Sequence, residues 1–463
     1  MVFRLGLTPC FLPALTMTTG SPFMNRTLFL RSFTFVLLVF AVSLSAQQPS
    51  SAQRDQYPNV EKGIQLFKEG NAAEAFALFV KAKEKNPEIS PPEVMLARLY
   101  YASKNVALGK NSLQSAVLKH PEDPEAWNIL GDIHLQTGNW AEAELLFERG
   151  LRTAKTSRNA TNRRMKNQLR FALNGLSKSY ETRKVWIKAQ VYLSEWSEFE
   201  PKNINVLRRL AVAQLNQGQV EQARASLNKV SQIDPQTLPP GVSISNYYQK
   251  IGELEKAKAE IVAAMAANQD SFVTQVAGAR WAIAAGELGM AEGIARNLVD
   301  KNQESVVPTI LMASIELFKG NHDGAENAFR LANQKSPGNF EAVVGLAMSL
   351  LKQDQELKLK QGLEHATVMV NSNKDIRQAR GRQAYSILAW ALFRNGQVQK
   401  ADQVIQNLAK TGELGPDAAY FAAEIYHAMD KTDVARQLVE SSLKSPSAFV
   451  FQKEARSFLQ NLN

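Results

Sequence analysis

The stretch that decides the fold is PEAWNILGDIHLQTGNWAEAELLFERGLRTAKTS, residues 124–157. Gly138 and Asn139 tolerate positive φ and mark a tight turn between two helical segments. Small residues at Gly131 and Ala143 let those two helices approach closely, and Phe147 fills the gap to whatever packs next. The Gly131 position belongs to a series. It recurs with a step of 34 at Gly63, Ala97 and Gly131, then at Ser177, Ala211, Ser245, Ala279, Ala313 and Ala347, then at Ala389 and Ala423. A fixed period of this length, carried by helix-contact residues, predicts an all-α, right-handed solenoid of helical hairpins.

The unit resembles the tetratricopeptide (TPR) repeat. Residues 124–157 carry Trp127, Leu130, Gly131, Gly138, Asn139, Ala143 and Phe147 at signature places, and residues 56–89 carry Gly63, Gly70, Asn71, Ala75, Phe79, Ala82 and Pro87. Residues 306–339 repeat the pattern with Ala313, Gly320, Asn321, Ala325, Phe329, Ala332 and Pro337. In this register about eleven hairpins are expected: three over 56–157, six over 170–373 and two over 382–449. A basic insertion, 158–169, and a second one, 374–381, break the step; lacking proline, each can lengthen a neighbouring helix. Proline at 87, 121, 201, 235 and 337 closes second helices, and Asp123 before Pro124 supplies an N-cap and a first helical residue. Residues 450–463 read as a capping helix, with Phe451, Ala455, Phe458 and Leu459 on one side covering the last apolar face.

Residues 1–46 contain Arg4, Arg26 and Arg31, no acid, an apolar run from Ser32 to Leu44, and small residues at Ser43, Ser45 and Ala46. This reads as a secretory signal, with Met24 a more natural start than Met1 and 47–55 a flexible leader. An uncleaved anchor is the alternative, and the sole route to membrane contact. Loss of the three arginines lowers the formal charge from +10 to +7, which suits an anionic partner without demanding one. The single cysteine, Cys10, excludes an internal disulfide framework.

Nothing in the chain has the spacing of a catalytic or metal site. The five histidines, His120, His134, His322, His365 and His427, all fall on structural repeat places, and no cofactor is implied. The candidate surfaces are of two kinds. Between Arg149 and Lys178 stand Arg149, Arg152, Lys155, Arg158, Arg163, Arg164, Lys166, Arg170 and Lys178 without one acid. This is either a solvated helix extension or a docking patch for an anionic partner, with Arg163, Arg164 and Lys166 at its centre. The TPR resemblance further implies a concave groove lined by first helices, whose positions two, five, nine and twelve face a protein or peptide. They give Asn128, Asp132, Asn174, Lys178, Arg208 and Asn246. No repeat combines lysine at position five with asparagine at nine, so the two-carboxylate clamp of chaperone-binding relatives is not expected; Asn174 and Lys178 invert its order. Trp186, Tyr192 and Trp196, with Tyr247 beside the expected Tyr248, are extra bulk, read first as core filling beside the insertion and second as a ligand platform.

The reading that follows is a non-enzymatic bacterial TPR scaffold, exported to the periplasm or cell envelope and binding protein partners there. A TPR component of an exopolysaccharide or secretion apparatus is the alternative. Export makes nucleic acid an improbable partner, and an enzyme with a site assembled across hairpins carries little weight.

Overall fold

In the computed structural model, residues 57–157 and 160–462 are described, and every regular element among them is an α-helix. The expectations for the signal segment, the Met24 start, the leader and Arg158 lie outside those residues. The chain divides into two compact units, one ending at Pro235 and the other starting at Gln236.

The first unit contains α1 (Pro58–Lys68), α2 (Ala72–Lys85), α3 (Pro92–Ala102), α4 (Val106–Lys119), α5 (Pro124–Gln136), α6 (Trp140–Thr156), α7 (Arg163–Thr182), α8 (Trp186–Phe199), α9 (Ile204–Leu215) and α10 (Val220–Ile233). Each odd-numbered helix packs against the even-numbered helix that follows, so the unit is a stack of hairpins. The second unit continues the pattern with α11 (Pro240–Lys250), α12 (Leu254–Ala267), α13 (Phe272–Ala284), α14 (Leu288–Lys301), α15 (Val307–Lys319), α16 (His322–Lys335), α17 (Phe340–Leu351), α18 (Glu356–Ser372), α19 (Ala379–Arg394), α20 (Val398–Ala409), α21 (Pro416–His427) and α22 (Thr432–Leu443). A last helix, α23 (Gln452–Asn461), packs on α22. The fold class is that of an all-α helical-hairpin solenoid.

Local chemistry sets the helix limits. Asp123 accepts a hydrogen bond from the Glu125 amide at 3.0 Å and precedes Pro124, while Asn203 and Asn339 cap α9 and α17 in the same way. The turn inside a hairpin needs one left-handed residue. Gly70, Gly138, Gly218, Gly252, Gly286, Gly320 and Gly396 hold φ between +73° and +92° there, and Lys104, Lys184 and Asp430 take the same place with φ of 58–62°. The ninth hairpin has no such residue among the positive-φ set: its turn runs through Asp354 and starts α18 two residues later.

The core is made of contacts that only small residues permit. A Cβ built on Gly131 would lie 2.9 Å from the Phe147 ring, and one on Gly175, in the next hairpin, 2.3 Å from it. Phe79 against Gly63 and Phe329 against Gly345 repeat the arrangement. The 158–169 insertion is absorbed by the following first helix: α7 begins at Arg163 and runs for 20 residues. The 374–381 insertion adds a short loop, in which Arg377 pairs with Asp375, before α19 starts at Ala379.

In the second unit, consecutive first helices pack on one another more closely than consecutive second helices do. A stack bent in this sense carries its first helices on the inner curve. There α17 departs from the amphipathic norm, because every residue from Ala342 to Leu351 is buried.

Candidate protein-binding surfaces

In the first unit the structure separates the sequence candidates. Asn128 is fully buried, donating from Nδ2 to the Gln168 carbonyl oxygen and to Gln168 Oε1, both at 2.9 Å. Arg164 reaches back to the start of α5, where its guanidinium binds Asp123 Oδ1 at 2.6 Å and Glu125 Oε2 at 2.6 Å. Glu125, 1% exposed, also accepts from Ser90 Oγ at 2.7 Å and pairs with Arg98. Burial pushes its carboxyl up, but the Arg98 and Arg164 charges and these hydrogen bonds win and bring it down to about 2. Asn128 and Arg164 are thus corrected from ligand contacts to fasteners. Together they dock the added turns of α7 on the preceding hairpin.

Much of the acid-free run is neutralised from outside it. Lys155 pairs with Glu195 at 2.7 Å, Arg170 with Glu200, and Arg149 lies over the Trp127 ring. Arg163 and Lys166 remain exposed on the first turn of α7, with no ion pair among the described residues. Positive charge there opposes the helix dipole.

The remaining groove candidates are accessible. Lys178 is exposed and lies near half-buried Asp132, whose carboxyl burial raises while Gln136 and Lys178 lower it. Asn174 is exposed and accepts from Arg209 at 2.8 Å, and Arg209 is held in turn by Glu181. Arg208 is exposed on α9, and Asn246, in the second unit, is exposed on α11.

Of the two readings of the aromatic group, core filling agrees with the packing. Trp196 is buried with its Nε1 donating to Glu200 at 2.8 Å, and Tyr192 donates to Glu148 while stacking on Tyr180. Among the described residues no group of three or more His, Cys, Asp or Glu side chains could hold a metal ion, and no helix is long and apolar enough to cross a membrane.

The second unit contains a surface that the repeat positions of the central hairpins did not reveal. After α22 the chain turns at Ser445 and crosses to the end of α13, where the Ala448 amide donates to the Ala284 carbonyl oxygen at 2.7 Å. It then buries Phe449 and Phe451. The Phe451 ring meets Phe421 edge-on at 4.8 Å, Trp390 at 5.5 Å and Tyr420 at 5.5 Å, and the Lys352 ammonium lies 4.3 Å from its centroid. Lys352, at the end of α17, also pairs with Glu454 of α23. Asp417 on α21 faces the Val450 and Phe451 amides. Burial drives its carboxyl up to about 7 against the opposing pull of Lys352 and those two amides, and its shielded Oδ1 has no hydrogen-bond donor.

Asp417, Tyr420 and Glu424 are positions two, five and nine of the eleventh hairpin, and Trp390 is position nine of the tenth. The rule that selected Asn174 and Lys178 would have found them, had it been carried past the central hairpins. A second signal was the sequence AVVGLAMSLL of α17, residues 342–351, with Ser349 as its one polar side chain, since such a helix must be covered on its inner face as well.

Residues 94–158 and 187–240 match family profiles described as tetratricopeptide repeat, so TPR repeats are present in the chain. Superkiller protein 3 of Schizosaccharomyces pombe is 22% identical over 233 residues, covering 50% of this chain; the chain spans only 16% of that relative's length. Among solved structures, yeast Tom70 shares 14% identity and overlaps 88% of this chain and 96% of its own, with a TM-score of 0.37. A tetratricopeptide repeat protein from Parabacteroides merdae shares 16% identity over 63% of this chain and 97% of its own, with a TM-score of 0.32.

Proposed function

We propose that this chain is a non-enzymatic scaffold, exported into a bacterial cell envelope, that holds a protein partner on the first-helix face of its first unit. The observation carrying this reading is the set of accessible polar groups on α5, α7 and α9: Asp132 beside Lys178, Asn174 fixed by Arg209, and exposed Arg208. Amide and guanidinium groups such as these bind the carbonyls and carboxylates of an extended chain. Arg163 and Lys166 add uncompensated positive charge on the same helix α7, where an acidic partner segment would relieve their conflict with the helix dipole. Export rests on the charge and apolar pattern of residues 1–46.

The test is photo-crosslinking in bacterial cells expressing the full chain, with the reactive residue at Lys178 or Arg208 and, as controls, at the exposed second-helix positions Leu145 and Ile187. The expected result is a discrete protein adduct from the first pair alone, on a chain whose N-terminus maps to Gln47 in the envelope fraction. Equal adducts from all four positions would refute the binding face, and retention of residues 1–46 in the cytoplasm would refute export.

A further inference from the structure

The segment lying across the second unit, extended through Ala448 and Phe449 and turning into α23, is held at its backbone and at its side chains. Its backbone is met at two places: the free carbonyl oxygen of Ala284 at a helix end, and the carboxylate of Asp417. Two aromatic side chains spaced i and i+2, Phe449 and Phe451, enter the apolar cluster that contains Val344, Met348, Trp390 and Tyr420. An ion pair, Glu454 with Lys352, fixes the register. Lys352 is only 7% exposed, and its carboxylate partner comes from the segment, so this cation is placed for an occupant rather than for its own hairpin.

The fit is nevertheless incomplete. Asp417 Oδ1 is shielded and has no donor, although α23 buries Ala455 and packs Phe458 and Leu459 against the same cluster. An occupant offering one more donor would satisfy the groove better.

We propose that the inner face of the second unit, between Ala284 and Asp417, is a peptide-binding groove in which residues 447–454 sit as an intramolecular competitor of an external partner segment of the form Phe-x-Phe-x-x-Glu. The resident sequence Phe449-Val450-Phe451-Gln452-Lys453-Glu454 defines that chemistry: aromatic rings for the Trp390–Phe421 wall, an exposed amide pair for Asp417, and a carboxylate for Lys352. A partner carrying it displaces the segment, and release of 445–462 accompanies binding. This surface lies outside the first-unit face proposed above, and either can stand without the other.

The experiment uses the full chain and a fluorescent peptide with the sequence of residues 446–459, PSAFVFQKEARSFL. A tethered competitor acts at an effective concentration on the order of mM, so a F449A/F451A variant, whose own segment is weakened, should bind the peptide about 100-fold more tightly than the wild-type chain. Adding K352E should abolish that binding, and a peptide with lysine in place of its glutamate should restore it. A variant that stays helical and monomeric yet fails to bind would overturn the proposal and make the segment a permanent cap. Should that variant not fold, hydrogen exchange of the wild-type chain decides: amides of Ala448, Val450 and Phe451 exchanging at least tenfold faster than those of α21 support a releasable segment, and equal protection overturns it. A wild-type dimer formed by exchange of this segment would also overturn it, by making a second copy the occupant.

Discussion

Gly175 and Phe147 occupy one space. The phenyl Cζ lies 2.3 Å from where a Cβ on Gly175 would stand, and Gly131 closes the other side of the ring at 2.9 Å. Gly175→Ala therefore forces the ring or the α7 backbone to move, and overpacking of this kind costs about 1–3 kcal/mol. The chemical-denaturation midpoint of a fragment or chain containing 57–235 should fall accordingly, and a midpoint unchanged within error would contradict the packing described.

The left-handed turn position separates glycine from its substitutes. Lys104 and Lys184 hold φ near +60° where most hairpins have glycine. Left-handed backbone costs a side-chain-bearing residue about 1–2 kcal/mol, partly offset by glycine's greater unfolded-state entropy. Lys104→Gly and Lys184→Gly should each stabilise the chain by about 0.5–1 kcal/mol in urea titrations, whereas Gly138→Lys should destabilise it.

Arg164 and its neighbours on α7 should behave differently. Arg164→Glu removes one of the two guanidinium partners of buried Glu125, leaving Arg98, and adds a like charge, so a loss of about 3–5 kcal/mol is expected. Arg163→Glu and Lys166→Glu, both exposed, should change stability by less than about 0.5 kcal/mol. The Glu125 carboxyl sits below its usual range in the folded chain, so its contribution is present above the unfolded value and is lost as pH falls toward about 2. Acid titration of wild-type and Glu125→Gln chains should diverge in that window.

Asp417 gives the opposite sign. Its folded carboxyl titrates at about 7, well above the ordinary 3.8, so the seated segment is favoured when Asp417 is protonated and loses that advantage as pH rises from 3.8 to about 7. Lys352 on α17 and Glu454 on α23 act on it directly, and Glu424 on α21, Arg394 on α19 and His322 on α16 surround that pair. His322, lowered by burial and by Lys352, works against closure below its ordinary value of 6.5. Protection factors at Val450 and Phe451 should therefore fall about tenfold or more between pH 5 and 7 and level off above that, and Asp417→Asn should flatten this dependence.

The hairpins were legible because their determinants are local. Gly131, Ala143 and Phe147 serve contacts within one unit and its neighbour, and the same spacing recurs wherever those contacts do. Asn128 and Arg164 were misread because their partners, Gln168 and Glu125, lie some forty residues away and meet them only through the insertion. The groove occupant was hidden for a related reason. Gln452–Asn461 form a helix on α22, but the crossing to Ala284 joins parts of the chain that no period connects. The apolar sequence of α17 was its local trace.

That crossing changes how the second unit can come apart. A linear array of repeats frays from its free end, since each hairpin is stabilised by its neighbours alone. With Ala448 bonded to Ala284 and Glu454 to Lys352, the terminal hairpin is tied to others several repeats upstream. Loss of any hairpin in between would break the span, and melting of the last one requires release of the tie. The hairpins from α13 to α22 thus become one cooperative melting block, and unlatching 445–451 would return them to piecemeal unfolding.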